Sequence, residues 1–142
     1  MKIKMKRLNQ AMHFEATNET GNSIQMDGSP DIGGENKGVR PMELLLMGVA
    51  GCSSIDIVML LKKMRQDLVD IQVEVDGEKE KAETYSFYKT IHVHFKLFGD
   101  LNEKKAKKAI DLSIEKYCSV SKALEYTAKI TSSFEILPAE KA

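Results

Sequence analysis

The chain has 142 residues, which is enough for one domain with a sizeable core. Lysine plus arginine and aspartate plus glutamate both number 21, so no net charge attracts the protein to nucleic acid or to an anionic membrane surface. Two cysteines are too few for a disulfide framework, and the N-terminal segment MKIKMKRLNQ lacks the apolar region of a signal peptide. Both features predict a cytoplasmic protein.

The first third of the chain predicts three short strands. KIKMKRL alternates apolar and polar residues, AMHFEATNE is a second strand, and TGN turns the chain into a third strand, SIQMD. The next segment, GSPDIGGENKGVRP, contains four glycines and two prolines. This composition predicts a loop that leads into a helix at Pro41.

The segment RPMELLLMGVAGCSSIDIVMLLKKM, residues 40–64, predicts a long helix that is apolar over most of its circumference. Its length and composition raise the possibility of a membrane span. However, Glu43, Ser53, Ser54 and Asp56 lie within it, and a charged residue near the bilayer centre costs a few kcal/mol. We therefore predict a helix buried in protein, with no membrane association.

The remaining chain predicts two alternating strands, a second helix and a last strand. VDIQVEV and KTIHVHFKLFG each point one set of apolar side chains inward: Ile71, Val73 and Val75, and Ile91, Val93, Phe95 and Leu97. Asn102 is predicted to cap the second helix, whose apolar stripe comprises Ala106, Ala109, Ile110 and Ile114. AKITSSFEIL is the last strand. The order βββ-α-ββ-α-β predicts a single α+β domain over residues 1–142, with antiparallel sheets around the long helix.

The long helix also predicts an oligomer. A chain of this size has difficulty covering a helix that is apolar nearly all round. Gly48, Ala50 and Gly51 form a flat patch where another backbone could approach closely. A second copy of the chain, in a C2 homodimer, is the simplest cover.

The two cysteines are the main candidates for chemistry. Cys52 lies in the apolar helix and Cys118 follows the second helix, in KYCSVSKAL. Free cysteines are commonly small buried hydrophobes. Yet both stand beside hydroxyl groups, in CSS and CSVS, and buried polar groups mark a cavity, a water or a site. The residue types alone leave both interpretations open.

GVRPMELLLMGVAGCSSIDIV, followed much later by YCSVSKAL, resembles the OsmC/Ohr family of osmotically inducible and organic-hydroperoxide-resistance proteins. The resemblance is closest to the OsmC-like branch whose helix begins PMELLL. It implies an intertwined homodimer and a thiol-dependent peroxidase that protects against oxidative stress. By the same resemblance, Cys52 attacks an organic hydroperoxide and Cys118 resolves the sulfenic acid as a disulfide. An external dithiol or lipoyl-type reductant is implied, without a cofactor or a metal.

The sequence departs from the peroxidases of that family at the start of the helix. There a glutamate directly follows the proline and pairs with an arginine that activates the cysteine. Here Met42 follows Pro41, and the glutamate is Glu43. Each helical residue advances roughly 100°, so Glu43 and Cys52 lie on nearly opposite sides of an ideal helix. We expect Glu43 to complement the helix N-terminus, although it remains a candidate catalytic residue.

The activating cation and the acid beside the thiol are further candidates. Among Arg7, Arg40 and Arg65, we predict Arg40, in the loop before the helix, as the residue that activates Cys52. Asp56 lies one turn after Cys52 on the same face. An unpaired carboxylate there would raise the thiol pKa and oppose catalysis. Asp56 must therefore be paired or turned away, or this branch has another activity.

Other motifs are weaker. His92 and His94 form an H-x-H on one strand face, but no third metal ligand is evident. GGENKG lacks the ending of a phosphate-binding loop, and no basic patch is interleaved with the aromatic residues.

Two functions therefore remain open. One is a dithiol peroxidase, which the presence of both cysteines favours. The other is a dimer that binds a small hydrophobic ligand in the inter-subunit cleft without peroxidase activity, which Met42 and Asp56 favour.

Overall fold

The computed structural model describes residues 1–139, which form two compact units. The first unit, Met1–Leu45, contains a three-stranded antiparallel sheet in the order β1-β2-β3. Its strands are β1 (Lys4–Arg7), β2 (Phe14–Thr17) and β3 (Ser23–Met26). The three predicted strands are confirmed, each shorter than the alternating sequence suggested.

The loop after β3 is organised by one buried carboxylate. Asp27 accepts hydrogen bonds from the backbone N–H groups of Gly28 (2.7 Å), Glu35 (3.2 Å) and Lys37 (3.1 Å). Burial alone would raise the pKa of Asp27, but these three donors, together with the charge of His13, lower it. Gly34 is required here, because a Cβ atom at this position would lie 1.8 Å from the carbonyl oxygen of Gly28. The loop therefore has a defined conformation despite its glycine content.

The second unit begins at Leu46 and holds most of the helix α1, which starts in the first unit. A short π-helical turn and an extra helix follow the predicted second helix, so the chain after β5 is more divided than predicted. In chain order the elements are α1 (Pro41–Lys63), β4 (Asp67–Lys81), β5 (Ser86–Asp100), α2 (Glu103–Leu112), the π-helical turn (Ser113–Tyr117), α3 (Ser119–Leu124) and β6 (Lys129–Leu137).

The second sheet has the order β4-β5-β6 and is mixed. β4 pairs antiparallel with β5, whereas β6 runs parallel to β5. The α+β class is confirmed, but the prediction of purely antiparallel sheets was wrong at this strand. The segment from α2 to α3 separates β5 from β6, and a crossover of this length can return the chain to the same end of the sheet.

The core of the second unit follows the predicted periodicities. The inward residues of β5 are fully buried: Ile91, Val93, Phe95 and Leu97. The predicted apolar stripe is buried, with Ala106, Ala109 and Ile110 on α2 and Ile114 in the π-helical turn that follows it. Asn102 caps α2 as predicted, because its side chain accepts a hydrogen bond from the backbone N–H of Lys105 (3.0 Å).

Helix α1 presents two stripes on opposite sides. The inner stripe is fully buried and comprises Val49, Ser53, Ile57 and Leu61. The outer stripe is exposed and comprises Met47, Gly51, Ile55 and Met59, with Ile55 63% exposed. The single chain thus covers only one side of the helix that the sequence predicted to be buried.

The two glycines of the predicted flat patch on α1 have different surroundings. A Cβ atom at Gly48 would lie 3.3 Å from the side chain of Val120, which packs against the helix. A Cβ atom at Gly51 would have no heavy atom of another element within 4 Å in the described chain. Only the second of these glycines therefore leaves room for another backbone.

Among the described residues, α1 is the one helix long and apolar enough to cross a membrane, judged by length and composition only. The core helix of a soluble protein passes the same test. Hydropathy therefore does not distinguish a membrane span from a core helix. The prediction of a core helix rests instead on the polar residues within α1.

Candidate dithiol site

The second unit brings the two cysteines together. Cys52 lies in the middle of α1, and Cys118 lies between the π-helical turn and α3. Their side chains are close enough for the two thiols to interact, and both thiols are free. Cys118 is fully buried, whereas Cys52 is half-buried. The pair therefore has one enclosed sulfur and one sulfur nearer the surface.

Cys118 is held by the turns on both sides of it. Its backbone N–H donates to the carbonyl oxygen of Ser113 (2.7 Å), which closes the π-helical turn. Its own backbone is extended (φ −71°, ψ 102°), as expected for the residue that caps a helix. As the N-cap of α3, its sulfur accepts hydrogen bonds from the backbone N–H (3.4 Å) and the hydroxyl (3.1 Å) of Ser121.

These surroundings act on the Cys118 thiol in opposite directions. Burial raises the pKa of Cys118, because it disfavours the charged thiolate. The two hydrogen bonds from Ser121 lower the pKa, and the neighbouring Cys52 raises it through a hydrogen bond and through charge. The net effect is a raised pKa, with Ser121 as the group that opposes the increase.

Ser53 and Asp56, two polar residues of α1, have partners in the structure. The Ser53 hydroxyl donates to the carbonyl oxygen of Val49 (2.7 Å), so this serine satisfies itself within the helix. The Ser113 hydroxyl lies 3.1 Å from a carboxylate oxygen of Asp56 and 3.2 Å from the carbonyl oxygen of Ser53. Asp56 is thus paired, which is one of the outcomes that the sequence left open.

Arg40 and Glu43 belong to the first unit and interact with each other there. A Glu43 carboxylate oxygen accepts a hydrogen bond from the backbone N–H of Arg40 (2.7 Å), as in the reciprocal caps of helix N-termini. The expected N-terminal role of Glu43 is thus present. The Arg40 guanidinium donates to Asn36 (2.7 Å) and to the carbonyl oxygens of Asp27 and Gly38. A catalytic role for Arg40 or Glu43 stays a prediction.

A cavity is lined in part by sequence neighbours of the two cysteines, because Asp56 lies one helical turn after Cys52 and Tyr117 directly precedes Cys118. It has a volume of about 360 Å³ and is lined by Asp56, Met59, Leu60, Lys63 and Tyr117. Its walls combine apolar side chains with one acid and one lysine. Such a cavity is large enough for a small organic molecule.

The H-x-H motif lies on a polar face of the second sheet. His92 contacts Thr131 (2.6 Å) and Ser133 (2.8 Å), and His94 contacts the same Ser133 hydroxyl (2.7 Å). Within residues 1–139, no group of three or more potential metal-binding side chains is found. Side-chain hydroxyls of β6 are therefore the partners of both rings.

The roles of two polar residues of the site, Ser113 and Ser121, were not predicted from the sequence. Ser113 gave no signal, because its partners Asp56 and Ser53 are distant in sequence. Ser121 was visible only as part of CSVS. The spacing of Cys118 and Ser121, an N-cap and the residue three positions later, is the local signal that could have identified it.

Comparisons with known proteins agree with this architecture. The family model for OsmC-like proteins matches residues 34–133. Protein YhfA of Escherichia coli (strain K12) is 39% identical over 131 residues, which cover 92% of this chain and 94% of YhfA. A hypothetical protein from Aquifex aeolicus VF5, of known crystal structure, is 30% identical with a TM-score of 0.83, covering 98% of this chain and 97% of that one.

A more distant structure shares the fold. An organic hydroperoxide resistance protein OsmC from Legionella pneumophila has a TM-score of 0.72 at 18% identity and covers 95% of this chain and 97% of its own. At this identity the likeness concerns the fold alone. Fold and site together define an α+β protein with a pair of neighbouring thiols. The chain belongs to the OsmC-like family, as the sequence motifs indicated.

Proposed function

We propose that the protein is a thiol-dependent peroxidase that reduces organic hydroperoxides with Cys52 and Cys118. The observation that carries this proposal is the proximity of the two thiols, which are far apart in sequence but close enough to interact. Two distant, inert cysteines would have been expected if both were only core residues. The Legionella pneumophila protein of the same fold bears the name of an organic hydroperoxide resistance protein, which is consistent with this chemistry.

The exposure of the two sulfurs supports a division of roles. In the proposed reaction, the half-buried Cys52 attacks the terminal oxygen of the hydroperoxide as a thiolate. An S–O bond forms, the O–O bond breaks, and the alcohol leaves, so Cys52 becomes a sulfenic acid. The fully buried Cys118 then attacks the oxidised sulfur, and water leaves as the disulfide forms. An external dithiol, such as a lipoyl-type reductant, restores both thiols.

The apolar surroundings favour an organic peroxide over hydrogen peroxide. The nearby cavity contains Met59 and Leu60, and an alkyl tail gains burial energy that hydrogen peroxide cannot gain. The exposed outer stripe of α1 supports a homodimer in which a second chain covers this surface. In such a dimer the partner would enclose the substrate cleft further.

Arg40 is our candidate for the activating cation, with Glu43 beside it. Arg40→Met should slow peroxide consumption if the guanidinium stabilises the Cys52 thiolate. The same substitution also removes hydrogen bonds within the loop. Asn36→Ala is therefore the control, because it removes one partner of Arg40 and keeps the cation. Equal kinetics in wild type, Arg40→Met and Asn36→Ala would exclude the activating role.

A second function is supported by the cavity. Its volume, its mixed lining and the acid one turn from Cys52 also suit a small hydrophobic ligand that is bound without a reaction. In that case both cysteines would remain reduced while the ligand is held. This alternative predicts saturable binding that is unaffected by Cys52→Ser or Cys118→Ser.

The test is a single-turnover reaction with cumene hydroperoxide, followed by mass spectrometry of the intact chain. Wild type should form one intramolecular disulfide per equivalent and react faster with cumene hydroperoxide than with hydrogen peroxide. Cys118→Ser should react once and accumulate sulfenic and then sulfinic acid on Cys52. Cys52→Ser should not react. Indifference of the wild-type protein to peroxide would refute the peroxidase proposal.

A further inference from the structure

Ser121 stands out because its only described side-chain partner is the sulfur of Cys118. Its hydroxyl lies 3.1 Å from this sulfur, and its backbone N–H lies 3.4 Å from it. Both residues are buried, with Ser121 1% and Cys118 0% exposed. Two donors therefore converge on one enclosed sulfur, an arrangement that suits a negative charge better than a neutral thiol.

We propose that Ser121 is a positioning residue for Cys118, whose two donors stabilise the thiolate form of this sulfur in both half-reactions of the dithiol cycle. The proposal rests on the function proposed above and adds a residue to it. Ser121 touches neither peroxide nor reductant, and it acts only through Cys118. The backbone donor is fixed by α3, so the hydroxyl is the part that a substitution can remove.

Disulfide formation is the first step that requires this thiolate. A sulfur lone pair of Cys118 forms the S–S bond to Cys52, and the S–O bond of the sulfenic acid breaks. Its electron pair leaves with oxygen as hydroxide, which takes a proton and becomes water. Burial disfavours the attacking thiolate, and the hydroxyl of Ser121 partly offsets this cost.

Reduction is the second step, and the exposure of the sulfurs sets its direction. A thiolate of the external dithiol reaches the half-buried sulfur of Cys52 before the fully buried sulfur of Cys118. Attack on Cys52 forms a mixed disulfide and breaks the protein S–S bond, so Cys118 leaves as a thiolate. A leaving thiol of lower pKa leaves faster. The donors of Ser121 receive the charge that this departure creates.

Ser53 provides a matched control. Its hydroxyl is equally buried and lies next to Cys52 in sequence, but it donates to the Val49 carbonyl of its own helix. Ser53→Ala therefore removes a buried hydroxyl of the same size from the same region without touching a sulfur. Ser121→Thr retains the hydroxyl and should retain the effect. Circular dichroism of each variant checks that the fold is intact.

The first measurement is the titration of Cys118 in a Cys52→Ala background, which leaves one cysteine. The chemical shift of its labelled Cβ atom, followed by NMR against pH, reports the thiolate directly even for a buried sulfur. Ser121→Ala should lower the thiolate fraction of Cys118 at neutral pH about tenfold, as expected for one lost hydrogen bond to a charged group. Ser53→Ala and Ser121→Thr should titrate like the parent chain.

The second measurement is the rate of disulfide formation against pH, with one equivalent of cumene hydroperoxide in the two-cysteine chain. A thiolate of higher pKa is scarcer but more nucleophilic, so a tenfold lower fraction should slow the step only about threefold at neutral pH. Above the pKa of Cys118 in both chains, Ser121→Ala should be as fast as wild type or faster. A misplaced sulfur would instead be slow at every pH.

These results separate the proposal from the peroxidase function. If Cys52 does not react with the peroxide, diamide, a thiol oxidant, is used to form the disulfide instead. The NMR titration needs no oxidant. An unchanged titration in Ser121→Ala, an equal change in Ser53→Ala, or a pH-independent loss of rate would each overturn the role of Ser121. The role of Ser121 would be supported if Ser121→Ala raises the pKa of Cys118 and slows disulfide formation at neutral pH but not at high pH. This outcome does not depend on whether an organic hydroperoxide is the substrate.

Discussion

Helices α1 and α2 bury their apolar residues in different ways. The apolar stripe of α2 is covered completely by its own chain, and its other face is rich in exposed lysines. Helix α1 is apolar on opposite sides, and the chain covers only its inner stripe. An amphipathic helix can bury its apolar residues by packing one face against its own chain. A helix that is apolar all round needs a further surface to pack against its other side.

The candidate site lies where these two regions meet. Cys52 and Asp56 lie on α1, between its two stripes, and their partners Cys118 and Ser113 lie at the C-terminal side of α2. The positions of Cys52 and Asp56 on the apolar helix are therefore explained by groups at the C-terminal side of α2. Four experiments test this difference between the two helices, in order of decreasing expected effect.

The largest effect is expected on the outer stripe. Ile55→Asp would place an unpaired carboxylate in the predicted dimer interface, at a cost of about 4 kcal/mol, or roughly a thousandfold in the dissociation constant. Sedimentation at micromolar concentration should show a dimer for wild type and a monomer for this variant. Lys108→Asp, on the exposed face of α2, should remain dimeric. A monomeric wild type would contradict the prediction that a second chain covers the outer stripe of α1.

A substitution in the buried stripe of α2 should lower the free energy of unfolding and leave the oligomeric state unchanged. Ile110→Ala removes a buried side chain and should lower the free energy of unfolding by about 3 kcal/mol. Urea denaturation at a fixed protein concentration measures this change. Lys108→Ala, on the other face, should change it by less than about 0.5 kcal/mol. Equal losses at the two positions would remove the distinction between the faces of α2.

The contact between the two regions should be worth less than a core side chain. Ser113→Ala leaves the carboxylate of Asp56 without this donor and should cost about 1.5 kcal/mol in unfolding free energy. Adding Asp56→Asn should change the cost non-additively, because the two residues share one hydrogen bond. Ser119→Ala, an exposed serine of the same segment, is the control. Additive costs would show that the hydrogen bond contributes nothing measurable.

The smallest effect concerns the start of α2. Asn102→Ala removes the side-chain oxygen that accepts from the backbone N–H of Lys105 and should cost about 1 kcal/mol. Asn102→Asp keeps an acceptor at a helix N-terminus and should retain the stability. Urea denaturation again gives both values. A cost in Asn102→Asp equal to that in Asn102→Ala would argue against capping as the cause.

Periodicity and local signals determined much of this protein from the sequence. Alternation identified the buried face of β5, helical spacing identified the stripe of α2, and Asn102 marked the start of that helix. The same local rules predicted an N-terminal role for Glu43, which the structure contains. These features succeed because neighbours within one strand or one helical turn decide them.

Only the tertiary structure decided the rest. The parallel pairing of β6 depends on the path of the chain after β5, which no local pattern encodes. The partners of Asp56 and Cys52 come from a segment far along the chain, so residue types alone left the cysteines open between core and chemistry. Ser121 acquires its place only because Cys118 is the N-cap of α3, which brings the serine's hydroxyl within hydrogen-bonding distance of the sulfur. A pair of thiols becomes a candidate site through the packing of distant segments, and spacing along the chain cannot supply that contact.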